Sequence, residues 1–218
     1  MSPIAIPTAA LAGIPAGLQT QGVWAGRRQI FIRFAAEGET ATMYTADALA
    51  NEVRRGTSRS PFHSISISGR DPLSNVEYIC AAFDKLTTTL PVMLDCDGQR
   101  PAEIDQLKSI VTLTQVTLDG PTPEAQSDRA IESLQVAARS GMQHALVMIV
   151  DERTTDAHVL RGVERAHAAS EATMIVIHPG PTIPVDRDRR WMTLFERAAA
   201  LHGDIRLALR LPPPTGMR

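Results

Sequence analysis

Apolar runs rich in β-branched residues alternate along the chain with longer stretches in which apolar positions recur every three or four residues. The runs predict strands over 29–34, 63–68, 91–96, 113–119, 145–151, 173–179 and 205–211. The longer stretches predict helices over about 45–55, 73–88, 102–109, 128–140, 156–170 and 187–202. Within "SDRAIESLQVAARSG", Ser127 is placed to cap a helix, Ile131, Leu134 and Ala138 mark its buried stripe, and Gly141 ends it. Val159, Val163 and Ala166 repeat the spacing in the next helix. Strand and helix in strict alternation call for a parallel sheet, because a parallel neighbour is reached only through a crossover long enough to return to the same edge. Such a sheet is doubly wound or a partial barrel, and in both the functional groups collect at the carboxyl ends of the strands.

Composition narrows the picture. With 218 residues the chain suits one α/β domain, expected over 19–218. The opening "MSPIAIPTAALAGIPAGL" is apolar but lacks a basic start, and Pro3, Pro7 and Pro15 break any helix, so 1–18 reads as a flexible leader rather than a targeting peptide. A net charge of -2, from 22 basic and 24 acidic residues, gives no reason to propose nucleic acid or an anionic membrane as partner. Two Trp and two Tyr argue against base-stacking surfaces. The sequence has no run of about 18 apolar residues free of breakers, so no membrane span is expected. Two cysteines, Cys80 and Cys96, suit reduced thiols in a cytoplasmic protein. The closing "LPPPTGMR" cannot continue a helix or central strand and is placed on the surface.

The predicted strands end in "EGETATMYT", "SGRDPLSN", "DCDGQRP", "LDGPTPEAQSD", "DERTTD" and "HPGPTIP". None contains a G-x-G-x-x-G or Walker A sequence, an H-E-x-x-H pair or a nucleophile elbow, and the six histidines are scattered, so no metal site is expected. Gly69, Gly98 and Gly120 suit strand-to-helix turns that need positive φ. Arg33 sits among apolar strand residues and needs a partner, with Glu37 or Asp71 as candidates. Asp95 and Asp97 flank Cys96 at a strand end, where they serve either a ligand or a helix start, and His178 is a candidate pocket donor.

Taken in order, several segments resemble the radical S-adenosylmethionine (SAM) family, and within it the 7-carboxy-7-deazaguanine synthase branch. "ISISGRDPLSN" followed by "LPVMLDCDG" resembles a GGEP-type loop after the second strand and a TNG-type loop after the third. In "LQTQGVWAGRRQIFIRF", Gln19, Gly22, Gly26, Phe31 and Arg33 fall on a Q-G-E-G…A-G-R…F-x-R-F pattern. "MIVIHPG" and "IRLALRLPPP" resemble the late strand and the closing segment, with Pro212 and Pro213 near the positions of a His-Lys pair.

The resemblance implies a partial (βα)6-type barrel with parallel strands, radical-SAM-like. It also implies three cysteines after the first strand, whose thiolates hold a four-iron, four-sulfur cluster that in turn chelates SAM. The matching positions here are Glu37, Ala41 and Tyr44, and none can supply a soft sulfur ligand. Thr45 lies one residue off the register of a magnesium-binding threonine. "GRDP" keeps Gly69 and Pro72 but sets Arg70 where a glycine would let the backbone approach SAM, and Asp71 shortens the acid. At 19–22, Gln21 replaces a carboxylate.

The expectation is therefore a cluster-less, radical-SAM-like pseudoenzyme that acts as a binding or interaction protein, with no cofactor and with SAM binding disfavoured by Arg70. Gly69, Arg70, Asp71, Asp95 and Asp97 would be the remnant SAM site. Gln19, Gln21, Arg33 and His178 would line a pocket for a pterin- or purine-like molecule, and a homodimer or a partner enzyme is expected. The alternative is a repurposed enzyme in which Glu37, Tyr44, Asp71 and Asp97 do acid/base work in the old cavity.

Overall fold

The structure is a computed structural model and describes residues 7–180 and 189–208. Its centre is a single sheet in which β3 (Arg28–Phe34), β5 (Ser64–Gly69), β6 (Val92–Cys96), β7 (Leu113–Asp119), β8 (Gln143–Val150), β9 (Met174–Pro179) and β10 (Ile205–Leu207) lie parallel in chain order. The return segments are helical: α1 (Ala46–Arg59), α2 (Val76–Lys85), the single turn α3 (Pro101–Ile104), α4 (Glu124–Arg139), α5 (Asp156–Ala169) and α6 (Arg190–Ala199). This is an α/β fold built on a parallel-rich sheet. The sheet is open, with β10 at one edge and the antiparallel β4 (Thr42–Thr45) at the other, so it does not close on itself. Among the described residues no helix is long and apolar enough to cross a membrane.

Alternation along each strand divides the molecule. Ile32, Ile65, Ile67, Leu94, Val116, Leu146 and Ile175 join Leu49, Val53, Ile79, Leu134, Val163 and Leu194 of the helices in one continuous buried cluster. Each residue of this cluster buried from water contributes about 1.5–3 kcal/mol for a Val, Leu or Ile side chain. On the opposite face the apolar part is small: Met93, Leu113 and Ala145, covered by Val23, Trp24 and Met174. We call this second side the inner face.

Several sequence expectations need correction. From residue 8 on, the leader expected over 1–18 forms two strands, β1 (Thr8–Gly13) and β2 (Ala16–Leu18), both antiparallel to β3. Ala9 and Leu11 are buried in the main cluster, and that anchoring outweighs the interruptions at Pro7 and Pro15. The helix expected over 73–88 begins as a 3-10 turn at Pro72–Asn75, and that over 102–109 divides into α3 and a 3-10 turn at Asp105–Leu107, each started by a proline whose fixed φ suits a first turn. Helix α4 starts at Glu124, so Ser127 lies inside its first turn rather than at its cap, while Gly141 ends it at φ 75° as expected. Thr45 caps α1 by accepting a hydrogen bond from the Ala48 N–H at 3.1 Å. The expected strand residues 209–211, the first part of the helix expected over 187–202, and Pro212 and Pro213 lie outside the described residues.

Candidate functional site at the strand ends

The carboxyl ends of β5, β6 and β7 enclose a cavity of about 260 Å³ lined by Ser68, Gly69, Arg70, Asp71, Asp95, Cys96, Asp97 and Thr117. Gly69, Arg70, Asp71, Asp95 and Asp97 are thus brought to one place.

Gly69 ends β5 beside Phe34 of the neighbouring strand, at φ 99°. A Cβ there would stand 2.2 Å from the Phe34 carbonyl oxygen, so the glycine is required by the close approach of two backbones. The chain then turns sharply. Asp71 is the non-glycine residue with positive φ, 41°, among those described, and it is held by Arg100, whose Nε and Nη2 donate to its carboxylate at 2.8 Å each. A bidentate pair of this geometry fixes both planes. It occupies the Asp71 carboxylate with a cation, and Arg70, Asp95 and Asp97 line the cavity beside that pair.

Asp95 accepts a hydrogen bond from the Thr117 hydroxyl at 2.9 Å, and Asp97 accepts from the Gln99 N–H at 3.1 Å, a local turn that leads into α3. Cys96 is buried between the two acids, and burial pushes its thiol up to about 12, against a partly offsetting hydrogen bond from Gly98. At neutral pH it is a thiol, with little nucleophilic or metal-binding character.

The remaining sequence candidates fall elsewhere. Glu37 is exposed on the 35–41 loop, and Tyr44 belongs to β4, paired with Ala9 of β1. The quartet Glu37, Tyr44, Asp71 and Asp97 does not assemble: the cavity gathers the latter two alone. Arg33 points to the inner face, and its partner is Glu39 at 3.3 Å rather than Glu37 or Asp71. No group of three or more His, Cys, Asp or Glu placed to hold a metal ion occurs among the described residues. The donors that follow the first strand, Glu37, Ala41 and Tyr44, do not fit an iron–sulfur cluster, because two are hard oxygen groups and one has no donor at all.

Gln19, Gln21 and His178 meet around a compact turn. Residues 19–27 close on themselves through Gln19 N–H to the Arg27 carbonyl at 2.9 Å and Gly26 N–H to the Gln19 carbonyl at 2.8 Å. The closed turn lies on the inner face. Its Gly22 N–H donates to His178 Nε2 at 2.8 Å, its Val23 N–H to Gln115 Oε1 at 3.2 Å, and Trp24 packs edge-on to His63 with ring centroids 5.0 Å apart. His178 is fully buried, and an Nε2 that accepts places the ring proton on Nδ1. Gln19 is buried with its amide on the Met93 sulfur.

Two residues that shape this region had no place among the sequence candidates. Arg100 follows a strand end without any motif to single it out. Gln115, in the middle of β7, occupies an inward position where its neighbours Thr114 and Val116 point to the helices.

No known family model matches the chain. Over 115 residues it is 26% identical to the 7-carboxy-7-deazaguanine synthase of Methanothermobacter thermautotrophicus, a match that covers 46% of this chain and 45% of that protein. The matched region spans less than half the length of the curated relative. The chain is a distant relative of 7-carboxy-7-deazaguanine synthase, on an α/β fold whose polar strand ends open into one cavity.

Proposed function

We propose that this chain is a cluster-less, partial-barrel relative of 7-carboxy-7-deazaguanine synthase that binds a small polar molecule, of pterin- or purine-like type, instead of performing radical chemistry. One feature carries the reading: the positions to which the resemblance assigns three thiolates hold Glu37, Ala41 and Tyr44. The two cysteines of the chain do not make up the loss, being one short of three, with Cys80 on α2 and Cys96 at the end of β6. A neutral Cys96 thiol is a further argument against ligation. The mixed charge of the cavity, lined by Arg70, Asp95 and Asp97, suits a polar ligand, and homodimer formation or support of a partner enzyme belongs to the same reading.

Anaerobic purification with iron and sulfide supplied tests the reading. We expect no stoichiometric iron and no absorption band near ~400 nm, because cluster formation depends on thiolate ligands. A cluster of three to four irons per chain would sink it. The ligand half is checked separately by thermal shift, since a molecule that binds only the native state raises its apparent stability. An acid/base enzyme built on Glu37, Tyr44, Asp71 and Asp97 is the weaker reading, because Glu37 and Tyr44 stand away from the cavity.

A further inference from the structure

A second cavity, of about 200 Å³, lies on the helix side of the sheet, between α4 and α5 and over the carboxyl ends of β7 and β8. Leu118, Leu146 and Met148, all buried, form its floor, and Ile131 of α4 and Val159 of α5 line it from the sides. Gly162, in the interior of α5, borders it as well. A glycine is unfavourable in a helix interior, and the floor accounts for this one: a Cβ there would stand 2.9 Å from Met148 Sδ. Since an apolar cavity of about 150 Å³ takes up benzene, this one has room for a phenyl ring or a branched aliphatic chain of similar size.

The rim is polar and charged. His158, Arg161 and Arg165 follow one another at three- and four-residue steps, so they share one face of α5. Arg165 is ion-paired with Asp128 across the two helices, which leaves neither charge free. Glu124, in the first turn of α4, and Arg161 are both exposed, and their side chains make no ion pair or hydrogen bond with each other or with another described residue. Either alone would be an ordinary solvated side chain, and Glu124 also suits a helix start. Together they set one anion and one cation on the two lips of an apolar cavity.

We infer that this cavity is a binding site for a large apolar α-amino acid, with its side chain on Leu118, Leu146 and Met148, its carboxylate on Arg161 and its ammonium on Glu124. A guanidinium takes a carboxylate through two parallel N–H groups, and a carboxylate accepts from an ammonium. A zwitterion uses both rim charges at once. A fatty acid would meet like charge at Glu124, and an apolar amine would meet it at Arg161. The site goes beyond the small-molecule reading above, because the strand-end cavity opens elsewhere, among Ser68, Asp95 and Thr117.

The test titrates the protein with L-phenylalanine and with three relatives: 3-phenylpropanoate, which lacks the ammonium, 2-phenylethylamine, which lacks the carboxylate, and L-alanine, which lacks the large side chain. The NMR signal of the Met148 methyl group reports occupancy of the floor. L-Phenylalanine should shift that signal. It should bind about fivefold more tightly than either singly charged relative, the scale of one charge pair at an exposed rim, and at least tenfold more tightly than L-alanine. Arg161→Gln should weaken L-phenylalanine and 3-phenylpropanoate but not 2-phenylethylamine, and Glu124→Gln should weaken L-phenylalanine and 2-phenylethylamine but not 3-phenylpropanoate. Both positions are exposed, so the fold tolerates the changes.

Binding of neither L-phenylalanine nor L-leucine would overturn the inference. So would binding without a shift at Met148, 3-phenylpropanoate binding as tightly as L-phenylalanine, or a charge variant that leaves the amino acid unaffected. Each of these results leaves the reading of the strand-end cavity standing, since the two sites share no residue.

Discussion

Along β5 the side chains turned to the helices are Ile65 and Ile67, while Ser64, Ser66 and Ser68 alternate with them on the other face. Along β7, Val116 and Leu118 face the helices, and Gln115 and Thr117 face away. The same strands thus present a face that is saturated with apolar contacts and a face that carries hydroxyls, amides, carboxylates and a guanidinium. A parallel sheet covered on both sides reads as near-continuous apolar strands. This one does not, and the departure is greater on the inner side, since Thr114 and His144 are buried polar residues on the helix side of β7 and β8. On the inner side Ser66 Oγ and Gln115 Nε2 lack partners, as do Tyr78 Oη, His144 Nε2 and Trp191 Nε1 on the helix side, so the two faces differ in how much polar surface they carry rather than in having unmet polar atoms.

Substitutions on the two faces should separate in kind. On the helix side, Leu134→Ala should cost about 2–5 kcal/mol in denaturant unfolding, since the side chain is fully buried in the main cluster. Ligand binding, if retained at all by the folded fraction, should keep its affinity. At the boundary, Gly69→Ala should cost about 1–3 kcal/mol, because a Cβ is forced onto the Phe34 carbonyl at a left-handed φ.

On the inner face Ser66→Ala should leave stability unchanged or raise it by up to about 1 kcal/mol, because it removes a buried hydroxyl that has no partner. A clear destabilisation there would erase the distinction between the faces. The smallest effect is expected at the turn after β8, where Thr154 is buried against Asp151. Hydrogen bonds from Thr154, then from Arg153, hold the Asp151 carboxyl at about 2, below the ordinary 3.8. A depressed acid contributes stability above its ordinary value and loses it as pH falls through the native one. Thr154→Val should therefore lower stability above pH 3.8, neutral pH included, and flatten the pH dependence of unfolding between 3.8 and about 2, leaving the difference from wild type smallest at the acid end.

The sequence disclosed the parallel strands because their apolar runs are strong and their spacing regular. The antiparallel margin was hidden. β1 consists of small residues after Pro7, β2 is three residues long, and β4 is the "TMYT" that reads as the end of a polar loop. β1 and β2 become strands because β3 offers them an edge and because Ala9 and Leu11 find a core, and β4 because β1 offers it an edge, none of which is a local property.

The cavity was legible where it is made of strand ends, at Gly69 to Asp71 and Asp95 to Asp97. Glu37 and Tyr44 were drawn to it by their place after the first strand, but β4 carries Tyr44 to the sheet margin. Gln115 was missed since a polar residue inside an apolar run announces its direction only once the register of β7 against β6 is known.

The most direct measurement of the central claim is SAM turnover. The protein, treated anaerobically with iron, sulfide and a strong reductant, is incubated with SAM, and 5′-deoxyadenosine is quantified. With Glu37, Ala41 and Tyr44 in place of three cysteines, the account predicts none above a protein-free control. Formation of 5′-deoxyadenosine at one equivalent per chain would contradict it.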